Sequence, residues 1–374
     1  MEYIFDGNVG VMNRRTFIRS AAAASASLAL PVRSRVLAQA PRPAGWRTFE
    51  VITRIEVLQP AGRTRVWVPT PLIAGTPYQK PLGNLFAADN GGDASIHDDG
   101  SMALGMIAAE WPDGARPVLT LTSRVSVRDY ATDVAGPPHR GAGADRASLA
   151  PYLRPTKLAP TDGIVKTTSD AITRGAGSDL EKARAIYEWI VDNTFRDPKT
   201  RGCGVGDIRF MLESKNLGGK CADLNALYVG LARAAGLPAR DVYGVRVAPS
   251  ARGFQSLGAA TSNVTRAQHC RAEVFIGGYG WTPVDPADVR KVVLEEPPGN
   301  LALDSAPVER ARAALFGSWE MNWVAYNFGH DVALPGATHG DLPFFMYPQC
   351  ETAQGRLDPL DPDRFRYDIT AHAA

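Results

Sequence analysis

The chain has 374 residues, of which 45% are hydrophobic and 21% charged. That usage excludes a disordered chain, and at ~100–200 residues per domain the length allows two or three domains with real cores. The formal charge is +2, but residues 1–40 set Arg14, Arg15, Arg19, Arg33 and Arg35 against Glu2 and Asp6, a local +3, so +2 − 3 leaves the rest at −1. A body so near neutral has no basic footprint, so no nucleic-acid partner is expected.

The leader comes first in chain order. Asn13-Arg14-Arg15-Thr16-Phe17-Ile18-Arg19 precedes a small, apolar stretch from Ala21 to Val32, far short of the ~20 residues that span a bilayer. Followed by Ala38-Gln39-Ala40, this predicts a cleavable export signal over 1–40. The arginine pair ahead of Thr-Phe-Ile resembles the twin-arginine type, whose cargo crosses the membrane folded. The expected partner is therefore the twin-arginine export machinery, and the expected location is periplasmic or extracellular. Cleavage after Ala38 keeps Pro41 out of the next position, and Met12 is an alternative start because Glu2 and Asp6 are unusual before a basic segment. Elsewhere no run reaches ~18 apolar residues, so no stable membrane insertion is expected after cleavage.

From about Arg47 to Asp129 the pattern is that of strands. Phe49–Val57, Arg65–Pro69 and Val118–Val127 alternate or are rich in β-branched residues, with turn signals at Asn90-Gly91-Gly92-Asp93 and Asp98-Asp99-Gly100. An N-terminal antiparallel β domain over 41–145 is expected, ending in a linker rich in Gly, Pro and Arg from Ala131 to Ala147. Ser178-Asp179-Leu180-Glu181 then forms a capping-box pattern ahead of Ala183, Ile186, Tyr187, Ile190 and Val191, spaced for one helix face. A second helix starts near Cys221, carries Leu224, Leu227, Tyr228 and Leu231, and stops at Gly236 with Pro238 beyond. Strands follow at Arg240–Val247, Gln268–Ile276 and Trp281–Val284, the last two joined by Gly277-Gly278-Tyr279-Gly280. Helices followed by antiparallel strands predict an α+β unit over 146–300. An aromatic-rich extension over 301–374 ends in a strand near Phe365–Thr370.

The four cysteines are Cys203, Cys221, Cys270 and Cys350, with no C-x-x-C pair to suggest zinc. Their disulfide state stays open. Cys221 stands apart because it opens a helix, where unpaired amides and the positive dipole end stabilise a thiolate. Gly218-Gly219-Lys220 before it permits a sharp turn and adds a positive charge. A nucleophilic thiol needs a base, and the base an orienting acceptor. Folding the hairpin about Gly278 supplies both, bringing Asp285 nearly opposite His269. Strand parity puts His269, Arg271 and Glu273 on one face and Cys270, Ala272 and Val274 on the other, so Cys270 is expected to point away from the site as a small core side chain.

The stretches Gly219-Lys220-Cys221-Ala222-Asp223-Leu224-Asn225-Ala226-Leu227 and Leu231-Ala232-Arg233-Ala234-Ala235-Gly236-Leu237-Pro238-Ala239-Arg240 resemble the nucleophile helix of the transglutaminase-like superfamily. His269-Cys270-Arg271-Ala272-Glu273-Val274 and Gly280-Trp281-Thr282-Pro283-Val284-Asp285-Pro286 resemble its histidine and aspartate segments. The resemblance is strongest over 180–290. One departure is Cys270-Arg271 after the histidine, where an Ala-Trp phrase is common, so substrate preferences of better-known members do not transfer.

The resemblance implies a papain-like α+β core and acyl transfer through a thioester. Cys221 would be nucleophile, His269 the proton carrier and Asp285 the orienting carboxylate, acting on amide bonds of a peptide or protein, with a cell-envelope substrate suggested by the compartment. Hydrolysis is favoured over crosslinking because water is abundant and nothing marks an amine site. The alternatives are acyl transfer to small amines and a non-catalytic binding module on the same core. No cofactor or metal is expected, and no D-x-D-x-D-G calcium loop occurs. The oxyanion needs the Cys221 amide and a second donor, for which Trp189 and Asn216 are candidates. Asp223 is assigned to the helix end. His330-Asp331 lacks a nucleophile, and the Gly202–Gly206 run lacks the setting of a nucleotide loop. The cluster Trp319, Trp323, Tyr326 and Phe328 is expected to be core before cleft, and His97, His139, His339 and His372 surface.

Overall fold

The computed structural model describes residues 45–138 and 145–374, so the leader and His139 lie outside the described residues. Six antiparallel strands come first: β1 (Arg47–Val57), β2 (Thr64–Pro69), β3 (Gln79–Asp89), β4 (Asp93–Asp99), β5 (Leu104–Trp111) and β6 (Val118–Val127). Alternation explains how they bury one face, with Phe49, Val51, Ile55 and Val57 of β1 meeting Leu119, Leu121 and Val125 of β6 in the core.

The helical core follows with α1 (Gly163–Ile172), α2 (Asp179–Asn193) and α3 (Cys221–Ala234). Ser178 caps α2, its hydroxyl accepting from Glu181 N at 3.2 Å, while the Glu181 carboxylate takes Gly177 N rather than the cap residue's own amide. All fourteen residues of α3 are buried, as a helix apolar on most sides must be. It ends where Gly236 adopts φ 82°, letting Gly236 N and Leu237 N return to the carbonyls of Arg233 and Ala232.

A four-stranded sheet lies against α3: β7 (Ala239–Arg246), β8 (Arg271–Ile276), β9 (Gly280–Val284) and β10 (Trp323–Asn327), in the order β9-β8-β7-β10. The β8–β9 register pairs Ala272 with Val284, which puts Arg271 level with Asp285. Helix α4 (Pro286–Glu295) leaves β9 at once, with Pro286 at a first-turn position where no amide hydrogen is needed.

The last strands are β11 (Gln349–Thr352), β12 (Gly355–Leu357) and β13 (Phe365–Ala373). They correct the expected division of 41–145 from 301–374. Strand β13 pairs along β1, matching Ile55 with Tyr367, to give the sheet β13-β1-β6-β3. Strand β11 pairs with β2, matching Val66 with Cys350, to give β12-β11-β2-β5-β4. The two stretches share their sheets, and the described residues form one compact unit. Such pairing links strands some 300 residues apart, a separation on which local sequence pattern is silent. The fold is thus α+β, a core of helices against a four-stranded sheet with an N-terminal antiparallel β region completed from the C-terminal end.

Candidate functional site

Cys221 is the first residue of α3 and is only 4% exposed. Asp223, one turn in, accepts from Lys220 N at 2.9 Å through Oδ2 and from Val205 N and Gly206 N, both at 2.9 Å, through Oδ1. It therefore closes the helix end, as the sequence suggests, and also pins the 202–206 loop against the nucleophile.

His269 sits just before β8, its amide donating to Gly244 O at 2.9 Å and its carbonyl accepting from Trp323 Nε1 at 2.8 Å. Both anchors fix the backbone and hence the ring. His269 Nε2 lies 2.8 Å from Asp285 Oδ2, which leaves Nδ1 clear of the carboxylate, and the imidazole favours the thiolate form of Cys221. Asp285 is the N-cap of α4, and its Oδ1 accepts from Asp288 N at 3.1 Å and Asn225 Nδ2 at 3.2 Å. One carboxylate thus ties the imidazole, α3 and α4 together. The structure brings Cys221, His269 and Asp285 into a single buried chain of contacts.

A second carboxylate enters the same contact. Asp288 Oδ1 lies 3.4 Å from His269 Nε2, while both Asp288 oxygens accept from Arg246 Nη2. Arg271 Nε stands 3.6 Å from Asp285 Oδ2, its guanidinium over the Trp323 and Trp319 rings and its Nη1 donating to Glu320 O. His269, Asp285 and Asp288 offer ligand atoms within 4.8 Å of one another, but Arg246 holds Asp288 and the imidazole holds Asp285.

The electrostatics favour a thiolate–imidazolium pair. The Cys203 and Cys270 thiols, and then His269, hold the Cys221 thiol well below its ordinary value against the opposing effect of burial. Burial and the Arg246 charge work against the imidazolium, but Asp288 and Asp285 prevail and push His269 up to about 9. Burial opposes the Asp288 carboxylate too, and Arg246 nonetheless holds it well below the usual range.

The cysteines correct one expectation. Cys270 is fully buried, yet its thiol hydrogen-bonds Cys221 instead of pointing away. Strand parity fails here because β8 begins only at Arg271, so residues 269 and 270 need not alternate. Cys203 O accepts from Ala222 N at 2.9 Å and Cys203 Sγ donates to Gln268 O at 3.4 Å, and all four cysteines are free.

Of the oxyanion candidates, Trp189 packs half-buried against the main core, and exposed Asn216 accepts from Gly218 N at 3.2 Å to shape the turn before α3. His330 bonds Asp241 at 2.9 Å, whereas Asp331 accepts from Lys157 N at 3.1 Å, so those neighbours point apart. Trp319, Trp323, Tyr326 and Phe328 are buried in the core. His339 and His372 are exposed and His97 is half-buried.

Asp288 and Arg246 escape the sequence reading. The signal for Asp288 is the phrase Asp285-Pro286-Ala287-Asp288 itself, an N-cap, a first-turn proline and an acidic residue three positions on, which predicts a helix start with both carboxylates on one turn.

The chain is similar to several known proteins. The family model described as transglutaminase-like superfamily matches residues 166–286, from α1 to the start of α4. An uncharacterized protein of Haemophilus influenzae is 34% identical over 326 residues, covering 83% of this chain and 86% of its own length. Among solved structures, a candidate cysteine protease from Cytophaga hutchinsonii is 14% identical, with a TM-score of 0.49 over 88% of this chain and 99% of its own. The periplasmic domain of TgpA from Pseudomonas aeruginosa is 16% identical, with a TM-score of 0.33 over 63% of this chain and 89% of its own.

Proposed function

The chain belongs to the transglutaminase-like superfamily, and from that premise we propose that it is an exported thiol enzyme that opens amide bonds of peptides or proteins by acyl transfer through Cys221. The observation that carries this reading is the placement of His269 between the Cys221 thiol and the Asp285 carboxylate, 2.8 Å from the latter.

In the first step Cys221 Sγ attacks the amide carbonyl carbon, and the carbonyl oxygen takes the negative charge. The Cys221 amide at the start of α3 is the first donor to that oxygen. His269 then passes its proton to the departing nitrogen, the C–N bond breaks, and a thioester on Cys221 remains. Water next gives a proton to His269 while its oxygen attacks the thioester, releasing the acid and restoring the thiolate. An amine in place of water would give transfer or crosslinking. Asp285 keeps the imidazole in one orientation through both steps, and it stays a carboxylate throughout.

Export rests on Arg14-Arg15 and the short apolar run behind them. Among the described residues, no helix is long and apolar enough to cross a membrane. A peptide or protein of the cell envelope is then the nearest substrate class. Replacing Arg14 and Arg15 together with lysine should leave the chain unprocessed inside the cell, and unimpaired export of that variant contradicts the leader's role.

The activity is tested by incubating the protein with a broad library of peptides and peptidoglycan fragments, followed by mass spectrometry against Cys221→Ala. Addition of one water to a substrate by the wild type alone supports hydrolysis, and loss of ammonia on joining two peptides identifies crosslinking instead. Equal product from a folded Cys221→Ala protein contradicts the assignment.

A further inference from the structure

Acyl transfer uses one thiol, yet three buried free thiols meet at the site. The Cys203 and Cys270 thiols both act on the Cys221 thiol, and Cys203 Sγ donates to Gln268 O at 3.4 Å, beside His269. We propose that Cys221 is also a site of reversible oxidation by peroxide, with Cys203 as the resolving thiol that closes a Cys203–Cys221 disulfide. This rests on the reading of Cys221 as a thiolate and is independent of the substrate.

The main chain holds the two cysteines side by side. Ala222 N donates to Cys203 O at 2.9 Å, so the residue after Cys221 is bonded across to Cys203 itself. The loop carrying Cys203 is seated on α3 by the two bonds from Val205 N and Gly206 N to Asp223 Oδ1. Its fit is close enough that a Cβ on Gly204 would lie 1.9 Å from Asp223 Oδ2. Main chains in such contact bring the ~4.4–6.8 Å Cα separation of a disulfide within reach without unfolding either segment. Glycines on both sides of Cys203, in the left-handed region at φ 56° and 97°, leave its loop the backbone freedom to turn the sulfur inward.

The chemistry balances with peroxide as the named oxidant. Cys221 thiolate attacks one peroxide oxygen, the O–O bond breaks, and hydroxide leaves a sulfenic acid on Cys221. Cys203 gives its proton to that hydroxide, forming water. The Cys203 thiolate then attacks the Cys221 sulfur, the S–O bond breaks, and a second hydroxide departs, taking a proton from His269 or solvent to become water. Two thiols are oxidised to one disulfide, and one peroxide is reduced to two waters.

Cys203 is the better resolver of the two neighbours for a physical reason. In the reduced site its thiol is held up first by its hydrogen bond to the Cys221 thiolate, then by burial, then by the Cys221 charge. Oxidation of Cys221 to a neutral sulfenic acid removes the first and third of these, while the Tyr347 hydroxyl and the Arg196 charge still favour the Cys203 thiolate. Cys270 is raised first by burial, which oxidation of Cys221 leaves in place, and only then by the Cys221 contact and charge. Its backbone is also fixed, since Cys270 O accepts from Asn225 Nδ2 and β8 begins at the next residue.

The test treats the reduced, full-length purified protein with hydrogen peroxide near neutral pH, then maps peptides by mass spectrometry without reductant. The expected result is a linked peptide pair containing Cys203 and Cys221, loss of iodoacetamide labelling at Cys221, and its return with dithiothreitol. Cys203→Ser should instead carry Cys221 on to sulfinic acid, which dithiothreitol does not reverse. A Cys221–Cys270 link, or equal sulfinic acid in wild type and Cys203→Ser, overturns the proposal while leaving the acyl-transfer reading intact. Slow iodoacetamide labelling of Cys221 before any peroxide overturns both. Should Cys203→Ser fail to fold, the identity of the linked pair in the wild type alone decides.

Discussion

Arg246 grips both carboxylate oxygens of Asp288, at 2.6 and 2.9 Å, with both side chains nearly sealed from solvent. Because Asp288 also lies 3.4 Å from His269 Nε2, the pair couples the candidate site to the core. Asp285 orients the imidazole, and Asp288 adds a second negative charge whose own position is fixed by Arg246.

Replacing Asp288 by Asn therefore has two expected consequences. Arg246 is left buried without its partner, which should cost about 3–5 kcal/mol of stability, measured by denaturant unfolding. The imidazolium loses one of the charges that raise it, so the His269 titration followed by NMR should move to lower pH than in the wild type. An unmoved midpoint would show that Asp288 does not act on His269.

The raised His269 value also predicts how stability depends on pH. Its folded value near 9 exceeds the ordinary 6.5, so protonation favours the folded chain. That contribution, on the order of 3 kcal/mol, is fully present below about pH 6.5 and is lost as pH rises through about 9. The stability gap between wild type and His269→Gln, from unfolding curves at a series of pH values, should narrow across that window.

Asp285→Asn separates helix capping from orientation of the base. Asparagine caps a helix as well as aspartate does, so α4 should persist, with the loss of stability coming from the Arg271 contact. The imidazole, however, loses the carboxylate that sets its tautomer. Turnover of any substrate found for the wild type should fall on the order of 10⁴-fold, read as kcat under saturating substrate.

Gly204→Ala tests the seat of the Cys203 loop. At φ 97° and with a Cβ placed 1.9 Å from Asp223 Oδ2, alanine should lift the loop from α3 and destabilise the chain by more than about 1 kcal/mol. Hydrogen exchange at Val205 and Gly206, whose amides Asp223 holds, should quicken accordingly.

The core elements were legible in the sequence because their signals are local. The α2 face, the Gly236 stop after α3 and the glycine turn between β8 and β9 each rest on residues within one or two turns of each other. The positions of Cys221, His269 and Asp285 follow from a helix start and a hairpin register, which are local as well. The sharing of β1 with β13 was not legible, since nothing near Phe49 announces Ala373 as its partner. Arg246 hid for a similar reason. It lies in a strand whose eight residues are all buried, and its partner Asp288 comes 42 residues later on another element. Cys270 misled because alternation was extended two residues beyond the true start of β8.

If its neighbours and His269 sustain Cys221 as a thiolate, the rate of iodoacetamide labelling at each cysteine as a function of pH reveals it. Cys203, Cys270 and Cys350 are free and serve as controls within the same chain. Cys221 should label fastest near neutral pH, with an apparent pKa well below the ordinary ~8.5 that climbs in His269→Ala. An apparent pKa at or above the ordinary value, or labelling no faster than at the other three cysteines, would contradict it.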